Sequence, residues 1–416
     1  MTRPRGGPPA PLLVSAKTIV TCDTGAAQCG VTFAALGRIE DGCILVDPKR
    51  GTVTALGSRA EIESRLGGTP ADEIDFGDCT VVPGLVDAHA HPLFAGDREA
   101  DFAARGHSEI APLGMAHTIR QTRRALEEPR AFWELIRTRL HLMLAHGTTT
   151  LETKTGYALN EAGESALLAL VDAHKNEPAL PRLIATFLGA HALPPEFRDE
   201  ADYVDYLIER CLPAAKAHGA VYADAFCEPG WFSPVQSRRY LEAARALGLR
   251  LRVHCDELGF GAAAEMAANL GVDAVDHCNY IREQDIGAIV ARGIVMVACP
   301  ATVAYLDLPR HAPVRALLER GGVVALASDF NPGTSPCFNL QTVAYFGRKL
   351  FGLSAAEALY GVTRAAAASL RADAGSLYAG GPADFVVLRI ASPEEFGWQF
   401  GGNLAAAVVR AGKVVA

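Results

Sequence analysis

Eight apolar, β-branched runs, each followed by an alanine- or leucine-rich stretch with helical spacing, occupy the middle of the chain. They cover residues 81–86, 148–154, 183–188, 222–227, 249–254, 272–276, 294–299 and 323–328. Continuous apolar runs of this kind suit strands of a parallel sheet buried on both faces. Eight βα units in succession point to a closed (β/α)8 barrel of the TIM type, with an open doubly wound sheet as the alternative arrangement. The flanks have a different texture. Residues 12–21, 31–38, 43–46 and 52–56 read as short strands with turn punctuation, and 383–388 and 405–415 resume that pattern at the other end. The two ends are therefore expected to pair. Residues 1–81 and 377–416 would form a small β-sandwich domain, and residues 82–376 the inserted barrel. A length of 416 fits one barrel of about 250 residues with a smaller domain attached.

Composition narrows the function classes. The chain is 50% hydrophobic and 21% charged, an ordinary globular balance. A formal net charge of -8 gives no electrostatic case for nucleic acid or for an anionic membrane. No uninterrupted apolar stretch reaches the roughly 18 residues a spanning helix needs. The basic start, Met1-Thr2-Arg3-Pro4-Arg5, precedes only a short apolar run broken by prolines, and reads as a loose tail rather than a signal peptide. Ten cysteines without CxxC or paired spacing argue against a disulfide framework and fit a reducing cytoplasm. Cys227, Cys255, Cys278 and Cys299 fall inside apolar segments, where a free thiol behaves as a small hydrophobe.

Catalytic groups of such barrels lie at the C-terminal strand ends. The first run ends in Asp87-Ala88-His89-Ala90-His91, and side chains two apart on extended backbone point to the same side. Later runs end in Lys154 with Tyr157 beyond it, in His191, in His254, in His277 and in Asp329. Packing alone does not require ionisable residues at so many apolar strand ends. His89, His91, His254 and Asp329 together form a mononuclear site of three imidazoles and a carboxylate, suited to one zinc or iron(II) ion. Water bound to such a cation loses a proton near neutral pH and becomes a nucleophile. Glu257, three residues after His254, is placed to take that proton and pass it to a leaving nitrogen. His277 would bond a developing oxyanion or share the proton transfer. Arg98, seven residues past His91, is either a group that holds a substrate carboxylate bidentately or, the commoner case for an isolated arginine, a surface residue. Lys154 suggests either a carbamylated bridge to a second metal or an ion pair, with Glu152 as a candidate partner, and the complete mononuclear set favours the ion pair. The segment Ser328-Asp329-Phe330-Asn331-Pro332-Gly333-Thr334 closes the last strand with a tight loop aimed at the site.

These segments resemble the amidohydrolase superfamily and, within it, the imidazolonepropionase family. The resemblance rests on PGLVDAHAHPLFAGDREADF, HGTTTLETKTGYAL, TFLGAHALPPEF, FCEPGWFS, VHCDELG, DAVDHC and ALASDFNPGTSP, spanning about Pro83 to Pro336. It implies metal ligation by His89, His91, His254 and Asp329. It implies substrate contacts from Arg98, Tyr157, His191, Glu257, Asn331, Gly333 and Thr334, with Glu257, His277 and Asp329 in catalysis. The implied reaction is opening of the ring of 4-imidazolone-5-propanoate to N-formimidoyl-L-glutamate by a cytoplasmic homodimer. Three segments depart from the family: the usual KSGYGL appears as Lys154-Thr155-Gly156-Tyr157-Ala158-Leu159, and two others differ more. A glycine-rich stretch that would cover the substrate is replaced by Pro112-Leu113-Gly114-Met115-Ala116, and the residues after His277 are Cys278 and Asn279. A related aromatic-base or cyclic-amidine deaminase is the alternative enzyme, because His254-x-x-Glu257 also serves deamination. A non-catalytic binding protein on a hydrolase fold is the remaining one, and it predicts lost ligands.

Overall fold

All six residues of Tyr222–Cys227 are buried, and so are all seven of Thr148–Lys154. Strands with no solvent face must be covered on both sides, here by helices outside and by each other's side chains within. The computed structural model describes residues 10–105 and 113–416, so the basic tail at 1–5 and Pro112 lie outside the described residues. Barrel strands 1 to 8 are Leu85–Asp87, Thr148–Lys154, Arg182–Ala190, Tyr222–Cys227, Arg250–Cys255, Ala274–His277, Val295–Ala298 and Val324–Leu326. They pair in sequence order, and every pairing is parallel. The ring closes at its C-terminal rim. Ala90 bridges Phe330, the Asp329 N–H donates to the His89 carbonyl, and the His91 N–H donates to the Phe330 carbonyl, both at 2.9 Å. Lower down, Gln28 from the N-terminal segment serves strand 8 as a neighbour. Its amide donates to the Val324 carbonyl at 2.8 Å and accepts from the Val324 N–H at 2.9 Å.

The two chain ends share a second sheet of eight strands. Its order is Lys413–Val414, Ala405–Arg410, Phe385–Leu388, Thr80–Pro83, Leu12–Val20, Arg38–Asp47 and Thr52–Ser58, with Asp72–Asp75 also pairing beside Leu12–Val20. A bridge from Thr52 to Pro382 folds its far edge back toward the C-terminal strands. Val14, Ile44 and Val53 thereby share one core with Phe385, Val387 and Val409.

Three details differ from the sequence expectation. The run 81–86 serves both sheets: Thr80–Pro83 belongs to the terminal sheet and Leu85–Asp87 opens the barrel, with Gly84 at the crossing. Residues 31–37 form turns, not a strand, and only Arg38 begins one. Leu36 N–H bonds back to Thr32 and Phe33, and the buried positions Val31, Phe33 and Leu36 lack a strand's strict alternation. Arg59–Leu66 is a helix among the strands, opened by a Ser58/Glu61 capping box whose serine–glutamate spacing is its sequence signal.

Gly84 is where a single methyl group matters most. A Cβ there would lie 2.1 Å from Thr149 Oγ1 and 2.9 Å from Thr149 Cβ, inside the fully buried strand 2. Gly84→Ala is therefore expected to destabilise the protein by about 1–3 kcal/mol, the usual cost of overpacking. Thr149→Ala in the same chain should restore most of the loss, as read by thermal unfolding of the single and double variants.

Candidate active site

The strands place ionisable side chains in two layers at the C-terminal mouth. In the lower layer Lys154 Nζ donates to Glu152 at 2.8 Å, to Asp224 at 2.6 Å and to Asp276 at 3.3 Å. Arg252 donates to Asp276 at 2.8 Å and to the Ala88 carbonyl at 2.8 Å. All five side chains are fully buried, which is tolerable only because each charge has a partner. The layer holds the imidazoles above it. His89 Nδ1 lies 2.8 Å from Asp276 and His254 Nδ1 lies 3.0 Å from Asp224. A carboxylate on Nδ1 fixes that nitrogen as the protonated one and leaves Nε2 as a lone-pair donor.

Above this support the donors converge. The Nε2 atoms of His89 and His91 stand 3.1 Å apart, and Asp329 Oδ1 lies 3.4 Å from each. One ring nitrogen of His254 falls within 4.8 Å of those of His89 and His91. Two imine lone pairs and a carboxylate oxygen directed at one point suit a cation there. Burial pushes His89 down to about 3 and His91 down to about 4, so both are neutral and free to ligate. Burial alone would raise Asp329, but its contacts to His89 and His91 outweigh that and hold it well below the usual carboxylate range. Thr302 Oγ1 donates to its other oxygen at 2.7 Å. Lys154 lies in an ion-pair arrangement: its ammonium, held charged by Asp224, Glu152 and Asp276 against the effect of burial, fills the space between Asp224 and Asp276.

The backbone is strained where the groups are aimed. Asp256, His277 and Asp329 have φ of 47°, 66° and 49°, at the ends of strands 5, 6 and 8. Left-handed non-glycine residues cost of order 1–3 kcal/mol each and persist only where surroundings fix them. Here the strand-5 loop is fixed by buried acids. Glu228 accepts the N–H groups of Glu257, Leu258 and Gly259 at 2.7–2.8 Å, and Asp256 accepts those of Gly261 and Ala264 at 2.6 and 3.1 Å. Asn279, one of the departures from the family pattern, donates to the Glu257 carbonyl at 3.1 Å. Glu257 Oε2 then faces His277 Nε2 at 3.6 Å, and that buried nitrogen has no hydrogen-bond partner among the described residues. Burial raises Glu257 to about 7, with His277 opposing and Asp329 reinforcing the shift.

A cavity of about 310 Å³ opens onto these groups. His91, His254, His277, Glu257 and Asp329 form its floor side, and Arg98, Tyr157, His191, Asn331, Gly333 and Thr334 also line it. His89 lies beneath, fully buried. The Arg98 Nε is bound by Asp101, whose carboxylate also accepts the Leu113 and Gly114 N–H groups. Gly333 makes room for that guanidinium, since a Cβ there would sit 2.9 Å from Arg98 NH1. His191 Nδ1 lies 2.9 Å from the Gly156 carbonyl, so its Nε2 is an acceptor. The Asn331 side chain is turned onto its own loop rather than aimed at a ligand: its oxygen accepts from Gly333 and Thr334, and its nitrogen donates to the Asp329 carbonyl. Sequence reasoning missed Asp224, Asp276, Glu228 and the wall residues Phe226 and Trp231. An acid in the interior of an apolar run, as at Asp224 in 222–227, was the available signal.

Comparison with known proteins follows the same lines. The family described as "Amidohydrolase family" matches residues 113–416. An imidazolonepropionase of Pseudomonas paraeruginosa (strain DSM 24068 / PA7) is 39% identical over 386 residues, covering 89% of this chain and 93% of that protein. One from Herpetosiphon aurantiacus is 36% identical over 407 residues, covering 93% and 92%. Among solved structures, the E. coli guanine deaminase superposes with a TM-score of 0.71 at 19% identity, covering 98% of this chain and 99% of that one.

The two-layer arrangement predicts that Asp276→Asn weakens divalent-metal affinity by about 10–100-fold, the usual effect of losing a ligand's carboxylate partner. Competition with a chelator reads this directly, and thermal unfolding of the metal-loaded variant controls for loss of the Arg252 contact.

Proposed function

The chain belongs to the imidazolonepropionase family of the amidohydrolases, metal-dependent hydrolases of C–N bonds, and we propose that it hydrolyses 4-imidazolone-5-propanoate to N-formimidoyl-L-glutamate. The observation that carries this reading is one cavity uniting a cation-binding donor set, a proton-carrying pair and an arginine. His89, His91, His254 and Asp329 would hold one divalent cation, zinc or iron(II). When bound, such a cation lowers the pKa of a coordinated water and polarises a carbonyl. A single cation is supported by the Lys154 ammonium, which fills the space between Asp224 and Asp276, one of the places where acidic side chains could hold a second.

The chain's own residues supply the rest. Arg98 has its Nε engaged by Asp101 and keeps its two terminal nitrogens for the propanoate. Burial raises the Tyr157 hydroxyl far above its ordinary value, so it stays a neutral donor beside that carboxylate. The His191 Nε2 accepts from a ring N–H. Glu257 takes a proton from the attacking water and returns it to the ring nitrogen as the C–N bond breaks, a shuttle suited to its position near 7. His277 Nε2, buried and without a hydrogen-bond partner among the described residues, bonds the carbonyl oxygen as charge develops on it. The proposal includes a homodimer in a reducing cytoplasm. All ten cysteines are free, which suits that compartment, and the dimer rests on the family resemblance. Among the described residues no helix is long and apolar enough to cross a membrane.

Freshly generated imidazolone propanoate is the test substrate. The wild-type chain is expected to yield formimidoylglutamate without ammonia, whereas stoichiometric ammonia from a purine, pyrimidine or pterin base would make it a deaminase. Glu257→Gln should lower kcat by about 10²–10⁴-fold with little change in KM. Arg98→Ala should act mainly on KM, and full activity in both variants would remove their assigned roles.

A further inference from the structure

Two cavities meet at the barrel mouth, and they share two residues. The inner one, about 310 Å³, holds the ionisable groups described above. The outer one, about 660 Å³, is lined by Ile119, Ala192, Leu193, Pro195 and Phe232, with Arg120, Arg123 and Glu200 as its ionisable groups. Met115 and Trp231 line both. We propose that Met115 and Trp231 form a partition that limits how long an acid side chain the ring substrate can carry; this rests on the reading that the inner cavity binds an imidazolone acid.

The partition is held from both sides. Met115 stands in the first turn of the helix Gly114–Ala125 and packs on Ile119, Leu159 and Ala192. The Trp231 ring lies 5.0 Å from Phe226, whose ring lies 5.5 Å from that of His254. The wall is thus positioned from the strands that carry the site. Its distance from the acid-binding group is set as well. Asp101 binds Arg98 Nε and also the N–H of Gly114, the residue before Met115. One carboxylate therefore fixes both the cation and the start of the wall. An acid chain longer than propanoate meets Met115 before its carboxylate can be accommodated. Beyond the wall, Arg123 is engaged by Glu196 and the Ala158 carbonyl, whereas Arg120 is exposed and has no ion pair or hydrogen bond among the described residues. Opening the wall would give a longer chain both room and a cation.

The experiment compares kcat/KM for imidazolones bearing propanoate, butanoate and pentanoate chains, in the wild type, Met115→Ala and Leu193→Ala. Met115→Ala is expected to raise the longer-chain-to-propanoate ratio by at least about tenfold, the scale of discrimination set by one methylene in an apolar pocket. Leu193 lines only the outer cavity, and its truncation should leave the ratio unchanged. An unchanged ratio in Met115→Ala, or an equal change in Leu193→Ala, overturns the proposal. Failure of the wild type on the propanoate compound overturns the substrate reading instead. The partition is then judged by tryptophan-fluorescence titration with the corresponding imidazole acids, which have no carbonyl to hydrolyse: a flat Kd ratio between variants, or no binding, overturns it.

Discussion

Asp276 is the point on which the site depends. Its two oxygens meet His89, Arg252 and Lys154 at once, at 2.8, 2.8 and 3.3 Å. Burying such a group unpaired costs several kcal/mol, so the acids and bases of the lower layer stabilise the interior only as a set. Their formal charges leave a residue. Glu152, Asp224 and Asp276 contribute -3, Lys154 and Arg252 contribute +2, and the sum is -1. Asp329 above them brings it to -2, which a divalent cation at the converging nitrogens would neutralise. The lower layer therefore does two things: it orients the imidazoles and it makes the space above them attractive to a doubly charged ion.

The same economy governs the backbone. The His89–Ala90–His91 segment bonds strand 8 through the Asp329 N–H and strand 2 through the Lys154 N–H, each at 2.9 Å. Closing the barrel and spacing the donors are one set of hydrogen bonds. A sheet left open between strands 1 and 8 would separate Asp329 from the histidines, so the fold and the cation site stand or fall together.

Much of this was legible in the chain, for a definable reason. Runs buried on both faces are unbroken in sequence, so 148–154 and 222–227 coincide with strands in the structure. Ionisable residues ending such runs stand out, and the structure brings His91, His254, His277, Glu257 and Asp329 around one cavity with Arg98. What stayed hidden depends on partners distant in sequence. Asp224 looks like a blemish in an apolar strand until Lys154, 70 residues earlier, is beside it. Asn331 reads as a ligand-facing amide until its oxygen is found bound to its own loop. The run 81–86 reads as one strand because both halves are equally apolar, and the chain-breaking pair Pro83-Gly84 is the sign that it divides between two sheets.

Two buried carboxyls in one cavity are driven in opposite directions, and that divergence defines their work. Burial would raise both, and for Glu257 it prevails, leaving a group near 7 that can hold or release a proton. Asp329 sits against His89 and His91 and accepts from Thr302, so it stays ionised. The difference is one of neighbours, not residue type, since each carboxyl is fully buried. A carboxyl held ionised at the point where the imidazoles converge serves to bind a cation and cannot shuttle protons. A group poised near neutrality beside an unpartnered imidazole can shuttle them but would bind a cation poorly. The division follows from which strand end each residue occupies.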